Sequence, residues 1–206
     1  MDGFTTIREA GGADYSIARR LAEGAIVGPR LFYSGRALTQ TGGGADFRTP
    51  AETNDACGHA SPFSVMSVIV DGVDEVRRAA REELRRGAPD QALRLRRGRV
   101  PIGIPCNDLR VLGRRAAGPE AQKSQLREFE TRAGLDSPAA VIRSATATNA
   151  ELLMLKHKLG VIAPGAYADL LVVDGDPLTD LRVMTDPQRN LKVIMKDGVF
   201  YMNELG

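Results

Sequence analysis

Ala168-Asp169-Leu170-Leu171-Val172-Val173, the turn Asp174-Gly175-Asp176-Pro177, and then Val193-Ile194-Met195-Lys196-Asp197-Gly198 form the stretch whose reading decides the fold. The apolar run ending at Val173 is short and rich in strand formers, so it predicts a β-strand. Asp197-Gly198 is a preferred two-residue hairpin loop, because both central positions of a type I′ turn need positive φ. It predicts a hairpin between Val193–Lys196 and Val199–Met202. The end of the chain therefore reads as a small antiparallel β element.

Upstream, the period changes to that of helices. Pro119–Ala133 predicts a helix that buries Leu126, Phe129 and Ala133 and stops at Gly134. Ser137-Pro138 starts another, since serine caps and proline suits the first helical position. Thr148-Asn149-Ala150-Glu151 reads as a capping box opening the run Leu152, Leu153, Leu155. Ala88–Gly118 is irregular and Arg-rich. Before it, Asp71–Arg86 predicts a strong helix with Val73, Val76, Ala80 and Leu84 as its buried stripe and Gly87 as its stop. A strand is expected over Val65–Val70. Gly35–Pro62 is a run of Gly, Thr, Asn, Pro and Ser and reads as a long loop. The first residues predict a β-α-β unit: strand Phe4–Arg8, a helix capped by Asp14 with Ile17, Ala18 and Leu21 on one face and Gly24 at its end, and strand Arg30–Ser34.

Composition narrows the function classes. Of 206 residues, 43% are hydrophobic and 26% charged, the make-up of an ordinary globular protein rather than a disordered or collagenous one. The net charge of +2 predicts neither nucleic acid nor membrane as partner. Two cysteines, Cys57 and Cys106, are too few for a disulfide scaffold and fit free thiols in a reducing compartment. The N-terminus has no signal-like apolar run, so a cytoplasmic location is expected. A closed eight-stranded (β/α) barrel takes about 250 residues, more than this sequence holds.

The segment Lys158–Leu178 with Val193–Gly198 resembles the C-terminal β-sandwich strands of the amidohydrolase superfamily, and Val141-Ile142-Arg143-Ser144-Ala145-Thr146 resembles its last barrel helices. Gly3–Arg8, Gly11–Asp14, Gly28–Leu31 and Ser34–Leu38 are similar to the first strand-helix unit of its imidazolonepropionase-like and acyl-prolyl dipeptidase-like branch. Val73–Arg77 fits the same pattern. The matches cover about two thirds of the chain in the family's order. The resemblance implies metal-assisted hydrolysis of carbon-nitrogen bonds other than ordinary peptide bonds, on small amides or acyl-amino acids. Zinc or another divalent ion, held at the C-terminal ends of barrel strands by a His-x-His pair, two further histidines, often a carbamylated lysine, and an aspartate, would activate the water.

The ligand inventory departs from that pattern. His59 and His157 are the only histidines, and no His-x-His occurs. Asp90-Gln91 is followed almost at once by Val100-Pro101-Ile102-Gly103, which resembles the start of the family's final, aspartate-bearing strand. The expectation is an α/β fold in the form of an incomplete (β/α) barrel-derived layer over residues 1–157, lacking a first strand and a middle block, with the β-sandwich element over 158–206. Asp108, in Gly103-Ile104-Pro105-Cys106-Asn107-Asp108, is the remaining candidate for the catalytic aspartate. No metal ligand is assigned, and none is expected to be held by this chain.

Other arrangements carry less. Cys57/His59 and Cys106/Asp108 each share one face of an extended chain, but their spacing matches no closed zinc motif. His157, between Lys156 and Lys158, reads as a solvated linker residue. Thr41-Gly42-Gly43-Gly44-Ala45-Asp46 is glycine-rich but precedes Phe47-Arg48-Thr49-Pro50 rather than a helix, so it reads as a loop and not a phosphate cradle. The arginines between Arg85 and Arg115 lack interleaved aromatics for stacking bases. The sequence thus predicts an amidohydrolase-lineage chain that is incomplete as a catalyst. Two alternatives are a non-catalytic assembly or binding remnant whose β tail pairs with another subunit, and a weak polyanion binder through the Arg-rich segment. Unpaired strand edges predict marginal stability and self-association.

Overall fold

A computed structural model describes residues 2–9, 12–50, 66–88 and 126–205. They fall into two compact units. One comprises the described parts of 6–26 and 30–98, the other those of 1–5, 27–29 and 99–206. The fold is mixed α/β with small sheets. No helix among the described residues is long and apolar enough to cross a membrane.

The first unit opens with β1 (Thr6–Glu9), α1 (Tyr15–Ala22) and β2 (Arg30–Tyr33), and β1 pairs parallel with β2 in the register Thr6↔Arg30 to Glu9↔Tyr33. This is the expected β-α-β unit. Asp14 Oδ1 accepts the backbone N–H of Ser16 at 3.0 Å and of Ile17 at 3.3 Å, which satisfies two of the orphan donors at the start of α1. Ala13, Tyr33 and Ala88 form the small core, with Ala18 and Leu31 packed against it.

The segment expected to be one long loop begins instead with a strand. β3 (Ala37–Thr39) pairs parallel with β4 (Ser67–Ile69), making a second two-stranded sheet. Ala37-Leu38-Thr39 is too short to show a period, and only its partner reveals it. α2 (Val73–Arg85) follows, with Asp74 and Glu75 in its first turn and Arg85 in its last. It ends as predicted. Gly87, at φ +88°, lets the Ala88 N–H reach the Glu83 carbonyl at 3.0 Å and its own N–H reach that of Leu84 at 2.9 Å.

The face that α2 buries is not the predicted one. Ala79 and Glu83 are buried, whereas Val73 is 73% exposed and Val76 and Leu84 are each 37% exposed. The reason is electrostatic. Arg36, between β2 and β3, donates from Nε to Glu83 Oε1 at 2.8 Å and from its backbone N–H to Oε2 at 3.3 Å. A buried carboxylate needs such partners, and turning Glu83 inward rolls the apolar stripe outward.

The second unit contains α3 (Arg127–Ala133), α4 (Pro138–Arg143), α5 (Asn149–Leu152), β5 (Leu170–Val173), α6 (Pro187–Asn190), β6 (Leu191–Lys196) and β7 (Val199–Asn203). The Ser137 cap is present, its hydroxyl accepting the Ala140 N–H at 3.4 Å. The expected capping box at Thr148 does not form. Thr148 has helical φ and ψ and makes no side-chain cap, because the backbone continues from α4 into α5 through a widened π-helical turn, Ser144–Thr148. β5, β6 and β7 make the predicted antiparallel sheet in that order, and Asp197 and Gly198 take φ of 52° and 77° in the hairpin loop. Val141, Leu181 and Ile194 are the most deeply buried large side chains among the described residues. Lys196, also buried, donates from Nζ to the Gly28 carbonyl at 2.8 Å and lies 5.0 Å from the centroid of the Tyr201 ring.

Gly160 is where the π-turn meets the returning chain. A Cβ there would overlap the Thr146 carbonyl carbon and lie 2.6 Å from the Ala147 nitrogen, and its φ is +70°. Gly165 has φ +81° but nothing within 4 Å of such a Cβ. Gly160→Ala is therefore expected to cost at least about 2 kcal/mol, from left-handed strain plus backbone overlap, and Gly165→Ala only about 1 kcal/mol. Urea midpoints of the two variants check this, and equal losses would contradict the overlap.

Candidate functional site

Parallel strands of (β/α) units place chemistry at their C-terminal ends, so the first unit is the place to look. Glu9 ends β1, buried, with Oε2 accepting the Ala13 N–H at 2.9 Å and its carbonyl accepting the Ser34 N–H at 3.1 Å. Tyr33 ends β2 and donates its hydroxyl to the Arg86 carbonyl at 3.0 Å. Beyond β3, the Thr41 N–H and hydroxyl donate to the two oxygens of Asp71 at 2.7 and 2.6 Å. Asp46 takes a bidentate grip from Arg48, with Nε and Nη2 each at 2.7 Å, and accepts the Gly42 N–H at 2.8 Å. The glycine-rich segment is thus a loop tied down by two aspartates, with no helix following it.

These carboxylates hold the loop and are poorly placed as metal ligands. Both oxygens of Asp46 and of Asp71 are already taken, Glu83 is engaged by Arg36, and Glu9 braces the turn into α1. Among the described residues no group of three His, Cys, Asp or Glu side chains could hold an ion. A hydrolytic divalent metal needs three protein ligands and an open position, and the described donor set does not fit one.

The sequence-predicted residues scatter. Asp108, the catalytic candidate, lies outside the described residues, as do Cys57, His59 and Cys106. His157 is described: it sits exposed, at φ 64°, in the turn after α5, beside the Glu151–Lys156 ion pair at 2.9 Å. Of the Arg-rich segment, Arg85 and Arg86 both bind Glu82, at 2.6 and 3.0 Å, and Arg94 to Arg115 lie outside the described residues. Sequence reading did not single out Asp46–Arg48, Thr41–Asp71 or Arg36–Glu83. The two-residue spacing of Asp46 and Arg48 was the available signal for the first, while the others join residues 30 and 47 positions apart and left none.

Arg48 above all, with the Gly42 N–H, holds the Asp46 carboxyl far below the usual carboxylate range, and the Thr41 hydroxyl and N–H lower that of Asp71. A depressed native pKa stabilises the fold above the unfolded value near 4, and this contribution is lost as pH falls through the native value. The melting temperature should therefore drop between about pH 4 and pH 2, and the Asp46→Asn/Asp71→Asn double variant should show a shallower acid slope. Equal slopes in thermal melts across that range would contradict the assignment.

Comparison with known proteins now bears on the site. Residues 106–200 match the family model described as the amidohydrolase family. Ochratoxinase of Aspergillus niger is 40% identical over 95 residues, which span 43% of this chain and 20% of the enzyme. A prolidase whose crystal structure holds N-methylphosphonate-L-proline superposes with a TM-score of 0.75 over 98% of this chain and 76% of its own, at 24% identity, a likeness of fold. A crystal structure of an amidohydrolase is similar at a TM-score of 0.80 and 30% identity, covering 100% of this chain and 77% of that one. With that identity sustained across the whole chain, this protein belongs to the amidohydrolase family.

Proposed function

We propose that this chain follows the plan of a metal-dependent hydrolase of carbon-nitrogen bonds in small amides or acyl-amino acids, and that as it stands it is an incomplete catalyst. In this reading residues 1–157 correspond to part of a (β/α) barrel and 158–206 to the β-sandwich element, and Asp108 is the residue left to handle the proton. The curated relative, ochratoxinase, and the prolidase neighbour support the substrate class. The observation that carries the incompleteness is ligand supply. The chain has two histidines, His157 lies in an exposed turn between lysines, and the described carboxylates Asp46, Asp71, Glu83 and Glu9 are engaged with Arg48, Thr41, Arg36 and the Ala13 amide. Zinc or another divalent ion would supply a hydroxide near neutral pH, but only where three ligands converge. Two cysteines are too few for a disulfide scaffold, and this supports a reading of the chain as cytoplasmic.

Protein incubated with zinc and freed of excess should retain less than one equivalent by elemental analysis. It should not turn over N-acyl amino acids or acyl-prolines. Equimolar zinc together with turnover that Asp108→Asn abolishes would overturn this reading.

One observation favours a second role in assembly. β7 pairs only with β6 among the described residues, and its Val199 and Phe200 are more than half exposed. Such an edge invites another strand. Sedimentation should show concentration-dependent self-association that Phe200→Lys reduces, and a monomer at all concentrations would remove the role.

A further inference from the structure

On the flank of α2 away from Val73, Val76 and Leu84, a groove of about 670 Å³ runs between the helix and β4. Val68, Val70 and Ala79 give it apolar lining. Among the described residues five arginines border it, against three acidic residues. Three of the five are neutralised in place: Arg36 by Glu83 at 2.8 Å, Arg77 by Asp74 at 2.7 Å and Arg85 by Glu82 at 2.6 Å. The remaining acid, Glu75, accepts the Asp71 N–H at 2.7 Å. Arg78 and Arg81 make no ion pair or hydrogen bond among the described residues. They stand three positions apart on α2, so their side chains are neighbours on one helix face.

The other wall of the groove is a strand edge. The Val70 N–H donates to the Thr39 carbonyl at 2.8 Å, so by alternation the Ile69 N–H and C=O point away from β3, and Ile69 is among the residues that line the groove. Among the described residues β4 pairs with β3 alone. An apolar lining, outward backbone groups and two guanidiniums outside any ion pair among the described residues, offset only by the Glu75 carboxylate, match an extended peptide more closely than a small anion, which would use only the charges. Alternate side chains of a strand project to one face about 6.6 Å apart, and residues i and i+3 of a helix are separated by about 4.5 Å along its axis, a difference arginine side chains can span. Among the described residues no aromatic side chain lines the groove for stacking bases, which disfavours a nucleic acid.

We infer that this groove binds an extended acidic peptide segment of another protein, laid as a strand beside β4 with alternate carboxylates on Arg78 and Arg81. The probe is a fluorescein-labelled heptapeptide alternating valine and glutamate, followed by anisotropy at low salt with the full chain. Saturable one-to-one binding is expected, weakened at least tenfold by Arg78→Gln/Arg81→Gln and at least tenfold by N-methylation of alternate peptide amides, with no binding of the valine-lysine counterpart. The double variant should melt as the parent does, since neither arginine makes an ion pair or hydrogen bond among the described residues. Absence of saturable binding, equal binding of the N-methylated peptide, or tighter binding of a single-stranded oligonucleotide that the double variant abolishes would overturn the inference.

Discussion

The Glu83 carboxylate is the constraint on which the first unit turns. It lies buried on α2, and its solvation is replaced by the Arg36 guanidinium and backbone N–H. An uncompensated charge at that position would cost several kcal/mol, so the helix rotates to make the pair at the expense of its apolar stripe. Gly35 makes the approach feasible, because any Cβ there would collide with the Glu83 carboxylate. One ion pair thus sets which side of α2 meets β3 and β4, and so which side chains remain outside. The exposed valines and the arginine-lined groove on the opposite flank are both consequences of that rotation.

The same economy of charge governs the strand ends. In a hydrolase of this family those positions would be expected to hold an ion or a substrate. Here Asp46 closes on Arg48 and Gly42, and Asp71, beyond β4, on Thr41, so the loop after β3 is held by these two carboxylates. A carboxylate whose oxygens already accept charge-assisted or backbone hydrogen bonds stays ionised and positioned, which stabilises the loop and leaves little coordination capacity. Family membership and catalytic competence are therefore separate properties. The first is carried by identity along the chain, and the second needs ligands at particular places.

In the second unit the corresponding constraint is steric. The π-turn at Ser144–Thr148 and the close backbone of Gly160 exist together, and the helix keeps helical dihedrals straight through Thr148. Arg132 adds a hydrogen bond to the Ser144 hydroxyl at 3.1 Å, joining α3 to the widened turn. In the unit that holds the β5-β6-β7 sheet, Leu181 and the β6 residues Leu191 and Ile194 are each nearly inaccessible to solvent. Burying side chains of that size contributes roughly 1.5–3 kcal/mol apiece, so this small sheet has a real core.

Local chemistry was legible before any coordinates. Asp14 and Ser137 as caps, Gly24 and Gly87 as stops, and Asp197-Gly198 as a hairpin loop all follow from dihedral preference or a hydrogen bond within a few residues, and the family's segments were recognisable in order. What sequence alone could not determine depends on contacts across long separations. β3 is a strand because β4 lies beside it, Thr148 is helical because a π-turn carries the backbone past it, and α2 turns Glu83 inward because Arg36 waits 47 residues away. Periodicity records which residues prefer water, but a buried charge pair outweighs a few exposed methyl groups, and only the tertiary structure shows where that pair forms.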